Sequence, residues 1–315
     1  MSSYQSRKSF FSADEIAHYA RRSDFMGALM IAHCWALIFG AMALFIWWPN
    51  PLTFILAVML IGSRQLGLAI LMHDAAHSAL FKSRRLNEFA GEYLCGRPVF
   101  AELHAYRRYH LQHHKHTQTE QDPDLVLSKP FPTTRSSLWR KIVRDLTGQT
   151  GFKLRKQQLL SWYRLAGDKD AMDEAKLSQS FADPGLGKSL IINAILFASL
   201  ALVGYWWLYP ALWLLPLLTW YQLVVRLRNI AEHGAVEFSD NPLKNVRTTL
   251  AGPLMRLFVA PYYVNYHLEH HLIMHVPCWQ LPKLHRLMIE RGYAPEMEIG
   301  QSYFDVLRLA SSKSA

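Results

Sequence analysis

His110, His113 and His114 stand close together in the stretch 109–123, YHLQHHKHTQTEQDP, and on a helix residues three and four apart share one face. Three imidazoles on one turn can grip a metal. Neutral ring nitrogens suit iron, zinc, copper or nickel, so the cluster narrows the metal without naming it. The pattern recurs as HLEHH at His267, His270 and His271, and HDAAH adds His73 and His77 at i and i+4. At this chain's histidine frequency, window counting predicts only about 0.03 clusters of the first kind by chance, so two of them are a signal.

The elements that must position these residues can be read from hydropathy. The chain has 315 residues, 51% of them hydrophobic, with 10 Trp, which points to a membrane protein rather than two soluble domains. Apolar runs at about 25–48, 52–72, 189–208 and 211–228 are each near the roughly 20 residues that a spanning helix needs. They pair into two hairpins. WWPNP at 47–51 turns the first, and Tyr209 and Pro210 turn the second, with Trp206, Trp207 and Trp213 as interface residues. Arg64 interrupts the second run. A central Arg costs about 2.5–3.5 kcal/mol on insertion, so the helix is expected to leave the bilayer near Arg64 and carry His73 and His77 onward as a stalk. Arg226 and Arg228 stand in the same relation to Asn229 and His233.

Neither hairpin turn holds Lys or Arg, so the positive-inside rule puts residues 1–24, 73–188 and 229–315 on the cytoplasmic side. Within them, Ser12 and Glu15 have the spacing of a capping box, and 138–165 reads as an amphipathic helix on the membrane, though a solvated charged face reads equally well. FADPGLG at 181–187 supplies a break. Residues 247–264, cut by Pro253, Arg256 and Pro261, read as re-entrant or interfacial rather than as a fifth span, and the basic run to Arg291 as a cap over the site. The expected fold is therefore an all-α integral membrane protein of one domain, 1–315. It has four transmembrane helices in two hairpins and a cytoplasmic helical cap holding a di-metal histidine site.

Composition also excludes. The excess of 34 Lys and Arg over 24 Asp and Glu fits anionic lipid or an acidic partner, and no nucleic-acid motif accompanies it. Cys34, Cys95 and Cys278 form no CxxC pair and read as reduced, buried residues. The polar start MSSYQSRKSF lacks a signal peptide's apolar core, so the first membrane helix is expected to serve for insertion. His18, His33, His104, His275 and His285 read as ordinary packing or polar contacts.

The three clusters, their order and the two pairs of spans resemble the histidine boxes of the membrane fatty acid desaturase and hydroxylase superfamily, over nearly the whole chain. The resemblance implies two ferrous irons and dioxygen as co-substrate. NIAEH is similar to that family's further element, with His233 as a ligand and Asn229 reaching a metal through water. The implied ligand set is His73, His77, His110, His113, His114, His233, His267, His270 and His271, not divided between the irons. Metal-bound imidazoles commonly give their second N–H to a carboxylate; Asp74, Asp122, Asp124, Glu232 and Glu269 are candidates, and His116 is a candidate outside the ligand set.

The implied substrate is a lipid or acyl chain, from which two hydrogens leave to give an alkene or into which oxygen is inserted to give an alcohol. With no cysteine set, no GxGxxG and no haem-binding domain, the electrons are expected from a separate ferredoxin, rubredoxin or cytochrome b-type carrier with its reductase. A fatty acyl desaturase is the primary reading. A hydroxylase or ketolase acting on a carotenoid, sphingolipid or alkane is the alternative. A metal transporter is a distant one, because these clusters fall at helix ends and in polar segments rather than at the midplane. A zinc hydrolase would use HExxH and three protein ligands, and neither fits.

Overall fold

The computed structural model describes residues 10–166 and 185–314, and these are almost wholly helical. The helices that matter here are α1 (Ala13–Tyr19), α2 (Asp24–Trp47), α3 (Pro51–Ala76), α4 (Leu103–His116), α5 (Arg135–Leu146), α6 (Gln149–Ala166), α7 (Leu186–Leu202), α8 (Trp220–His233), α9 (His267–Leu272), α10 (Leu281–Glu290) and α11 (Tyr303–Ala310). Two short strands, β1 (Thr248–Thr249) and β2 (Ile299–Gly300), pair in parallel. By their contacts the residues divide into a hairpin unit, Asp24–Tyr109 with Ile142–Val224, and a histidine unit, Met1–Ser23, His110–Lys141 and Val225–Ala315.

In the hairpin unit the turn at WWPNP is fixed by Asn50, whose side-chain oxygen accepts from the backbone of Leu52 and Thr53, while Pro51 takes a first-turn position that needs no N–H donor. Helices α2 and α3, of 24 and 26 residues, leave Phe25, Trp47, Leu52 and Ile55 exposed. An apolar outer surface of this kind is a liability in water and matches lipid. Helix α3 is about 39 Å long against a hydrocarbon core of about 30 Å, so about six residues at its end, carrying His73, exceed what a span needs. Arg64 and Gln65 are buried by protein: Arg64 donates to Ser63 Oγ at 3.0 Å, and Gln65 Nε2 donates to the Trp213 carbonyl at 2.8 Å.

Among the described residues, three helical segments are long and apolar enough to cross a membrane: Asp24–Trp47, Pro51–Ala76 and Tyr209–His233. The expected run 189–208 is instead the 17-residue helix α7, about 26 Å long, closed where Gly204 takes φ +85°. Inside α7, Asn193 forms a polar hub. Its amide donates to the carbonyls of Arg97 and Pro98, and its oxygen accepts from Tyr209 Oη and Trp213 Nε1, both at 3.0 Å. The amphipathic run expected over 138–165 is two helices, α5 and α6, because Gly148 at φ +78° breaks it. Trp139, Phe152 and Tyr163 are exposed among their basic residues, as on an interfacial helix. Most of the expected break at 181–187 lies outside the described residues.

The histidine unit is held by backbone pairing around β1. Thr249 Oγ1 donates to the Ala231 carbonyl at 3.0 Å, and Arg247 N donates to the Glu232 carbonyl at 2.9 Å. The Arg247 guanidinium, 1% exposed, donates to the carbonyls of Gly234 and Ala235 and pairs with Glu298. It thereby satisfies carbonyls just past the end of α8. The segment 247–264 is β1, a short helix Pro253–Phe258 and a 3-10 turn Pro261–Tyr263, with no spanning length. Ser12 and Glu15 do form the capping box on α1, and Arg291 at the end of α10 pairs with Glu15.

Candidate metal centre

The histidine unit gathers imidazoles from three helices. His110, His113 and His114 project from α4, His233 is the last residue of α8, and His267, His270 and His271 lie on α9, a single short helix entered by a Tyr266 N–cap and buried along its whole length. They sort into two groups. In one, His113, His233, His267 and His271 bring four ring nitrogens within 4.8 Å of one another. In the other, His110, His114 and His270 bring three ring nitrogens within the same distance. His73 and His77 stand at the C-terminal end of α3 in the hairpin unit, their rings 4.9 Å apart, with Asp74 Oδ1 3.5 Å from His73 Nδ1.

The spacings within each group bear on what they hold. His267 Nε2 lies 2.9 Å from His233 Nε2 and 3.1 Å from His271 Nε2; His114 Nε2 lies 3.0 Å from both His110 Nε2 and His270 Nε2. A neutral imidazole has one N–H, so the central nitrogen of each trio cannot serve both contacts as a good hydrogen bond. A cation removes that conflict. With metal–nitrogen bonds of about 2.1 Å, adjacent ligands stand about 3.0 Å apart at right angles and about 3.4 Å apart in a tetrahedron, so the observed spacings fit ligands sharing one ion. Burial holds His267 and His271 well below the ordinary histidine value of 6.5, with neighbouring imidazoles pushing the same way. Their nitrogens are therefore neutral and carry the lone pairs that a metal needs.

The acidic candidates separate by what their oxygens already do. Asp122 Oδ1 accepts from His113 Nδ1 at 2.8 Å and from Asp124 N at 2.8 Å, while its Oδ2 accepts from Gln118 N at 2.8 Å. This fixes the His113 tautomer with Nε2 free to ligate. Asp124 Oδ2 is farther off, 3.7 Å from His113 Nδ1. Glu269, fully buried, accepts from Thr248 Oγ1 on one oxygen and faces His285 Nδ1 at 2.6 Å with the other. It therefore anchors α9 from behind rather than touching a box histidine. Glu232 Oε1 accepts from Arg228 Nε at 2.7 Å, and Oε2 lies 3.4 Å from His267 Nε2. Asn229 is half-buried, one turn before His233 on α8; His116 is half-buried and belongs to neither group.

Several supporting residues are not evident from sequence. Gln118 adopts φ +56°, and its side-chain amide donates to the His233 carbonyl at 3.1 Å. Thr117 Oγ1 lies 3.3 Å from His271 Nδ1. Thr248 and His285 hold Glu269 from 21 and 16 residues away, with no local spacing to announce them. Arg228 alone had a signal, the i,i+4 spacing to Glu232.

Long apolar helices and paired, buried all-imidazole groups define a membrane protein able to bind metal. The comparisons give the family. The profile described as "Fatty acid desaturase" matches residues 46–303, and the chain belongs to that family as an oxidoreductase. It is similar to a dihydrorhizobitoxine desaturase of Bradyrhizobium elkanii, at 31% identity over 87% of this chain and 78% of the relative. It is also similar to an sn-1 oleoyl-lipid 12-desaturase of Anabaena variabilis, at 25% over 83% and 75%, and to a beta-carotene ketolase of Paracoccus sp. (strain PC1), at 24% over 74% and 80%.

Proposed function

We propose that the chain is a di-iron, dioxygen-dependent lipid desaturase that converts a CH2–CH2 unit of an acyl chain to CH=CH. The observation that carries this is the pair of buried all-histidine groups. Breaking an unactivated C–H bond requires an oxidant made from dioxygen at a redox metal, which zinc cannot supply. Dioxygen, two electrons and two protons enter, the substrate gives up two hydrogens, and two waters leave. Electrons come from a separate ferredoxin, rubredoxin or cytochrome b-type carrier with its reductase, drawn to the basic excess of the chain.

The protein's own residues hold and orient. His113, His233, His267 and His271 take one iron, with Asn229 reaching it through water. His110, His114 and His270 take the other, and His73 and His77 belong to the proposed ligand set without being divided between the irons. Asp122 holds His113 in its ligating tautomer, Glu269 fixes α9, and burial shields both groups from bulk solvent. Asp74 and Asp124 orient His73 and His113, and His116 lies outside the ligand set. As a single domain, 1–315, the chain crosses the membrane four times, with both termini and the histidines on the cytoplasmic side.

A second reading has a specific support, the likeness to a beta-carotene ketolase: oxygen enters the substrate, in a hydroxylase or ketolase manner. One experiment separates the two. Total lipid is analysed by mass spectrometry from cells expressing the wild type or the His113→Ala, His114→Ala double variant, with and without oxygen, and with a donor system co-expressed. A wild-type-only, oxygen-dependent product lacking two hydrogens is expected. A product gaining oxygen replaces desaturation with the second reading, and purified protein that holds zinc but no iron overturns both.

A further inference from the structure

Apart from the metal groups, the histidine unit holds a cavity of about 390 Å3, lined by the segment after β1, the short helix Pro253–Phe258, Tyr266 and the start of α11. That volume suits a small ligand or a lipid head group. Arg256 is half-buried and supplies the one charge among the lining residues. Its guanidinium is braced on two sides. Nη2 donates to Tyr266 Oη at 3.2 Å, and the group lies 5.5 and 5.9 Å from the ring centroids of Tyr263 and Tyr266. Tyr263 takes φ +59° directly after Tyr262 at φ +50°, left-handed conformations that cost a non-glycine residue and that gather at ligand clamps.

The elements around the cavity also present apolar side chains outward. Leu254 and Phe304 are 74% and 75% exposed, and Leu250 is exposed beside them in the chain. A free anion would satisfy the arginine and leave these side chains in water, whereas an anionic amphiphile satisfies both. We propose that this cavity binds the phosphate head group of an anionic membrane lipid, with Arg256 as its counter-charge and Leu254 and Phe304 against the start of its chains. The acid of the α11 start does not compete: Asp305 is not among the lining residues, and its Oδ2 accepts from Ser302 Oγ at 2.6 Å. Half-burial lowers the dielectric around the guanidinium and strengthens its hold on a phosphate. The cavity shares no lining residue with the histidine groups, so its test does not depend on the metal.

The full chain is purified in detergent and titrated with dioleoyl phosphatidylglycerol, dioleoyl phosphatidylcholine or inorganic phosphate, and bound ligand is counted by native mass spectrometry. Phosphatidylglycerol is expected to fill one site about 10-fold or more tightly than either of the others. Arg256→Gln is expected to weaken that site about 10- to 100-fold, while Arg144→Gln, the same loss of charge at an exposed position of α5, leaves it unchanged. No loss in Arg256→Gln, or an equal loss in both variants, would overturn the assignment. Phosphate bound as tightly as the lipid would overturn the amphiphile, and phosphatidylcholine bound as tightly would overturn the requirement for net charge. If Arg256→Gln does not accumulate, Phe304→Glu carries the test: the side chain is exposed, so folding tolerates the change, and a like charge at the cavity wall must weaken the same site. Wild-type affinity in Phe304→Glu would refute the site. A phosphatidylglycerol bearing a photoactivatable group next to its head group is expected to label residues 250–256 or 301–304, and labelling only elsewhere would refute it as well.

Discussion

Asp122→Ala tests whether the loop after α4 tunes the metal position. Asp122, 6% exposed, accepts three hydrogen bonds, from His113 Nδ1, Gln118 N and Asp124 N. Two of these donors belong to buried residues, and each buried donor left alone costs about 1–3 kcal/mol; Asp124, half-buried, regains water. The folded state is thus expected to lose about 2–6 kcal/mol, less what local relaxation recovers. Gln118 adds a conformational cost of about 1–2 kcal/mol for its left-handed backbone, which the bond to Asp122 Oδ2 now offsets. For the metal, losing the partner of one ligating histidine is worth about 10- to 100-fold in affinity, or about 1.4–2.7 kcal/mol. The assay is chelator competition on iron-loaded protein with thermal melting in detergent beside it. Asp122→Asn divides the two effects. Its oxygen still accepts from His113 and Asp124, but its NH2 meets the Gln118 N–H, so stability is expected to fall while iron affinity stays near wild type. Asp122→Ala with wild-type iron affinity and melting temperature would refute the role given to the loop.

Arg97→Met strips the buried Glu92 of a bond of 2.7 Å and leaves its other oxygen on Leu103 N, the first residue of α4; detergent melts are expected to show a loss of about 3–5 kcal/mol. Lowering the pH releases metal and destabilises the metal-free protein. His267 and His271 are held below 6.5 when folded and return to it when unfolded, so below about 6.5 the unfolded chain binds more protons, and the stability present above that pH is lost as it falls. Two such groups give a slope of up to about 2.7 kcal/mol per pH unit, read from melts between pH 7.5 and 5.5. Gly91→Ala places a methyl 2.4 Å from Ala75 Cβ, on the helix that carries His73, and is expected to cost about 1–3 kcal/mol in the same melts.

The histidine boxes were legible because each is local: imidazoles three or four apart on one turn declare a shared face without knowledge of the fold. The three long apolar segments were legible for the same reason. The run at 189–208 was not, since its apolar character continues past Leu202 while Gly204 ends the helix. Arg64 is covered by packed helix, where Ser63 takes one of its donors. The acidic residues near the boxes could be named from sequence but not sorted. Asp122, Glu232 and Glu269 each stand close to a ligating histidine in the chain, and only the count of donors on each oxygen divides them. Those donors come from Gln118 N, Arg228, Thr248 and His285, and two of the four are long-range partners fixed by tertiary packing.

Each helix that carries box histidines holds at least one of them toward its own C-terminus. His73 stands three residues before the close of α3, His113 and His114 lie in the last turn of α4, His233 closes α8, and His271 is the penultimate residue of α9. The C-terminus of a helix carries about half a negative charge in its unsatisfied carbonyls, and a nearby cation gains about 0.3–1 kcal/mol from each, up to about 2 kcal/mol where the site is partly buried. Those carbonyls must still be satisfied. Around α8 side-chain donors do this: Gln118 Nε2 donates to the His233 carbonyl, and Arg247 to those of Gly234 and Ala235. Arg247 thus adds positive charge next to a site built to hold more of it. Its charge is opposed by Glu298, at 3.1 Å, and that of Arg228 by Glu232. Arg247 and Arg228, the arginines beside the end of α8, are therefore each paired with a carboxylate, which limits the positive charge they bring to the four-histidine group.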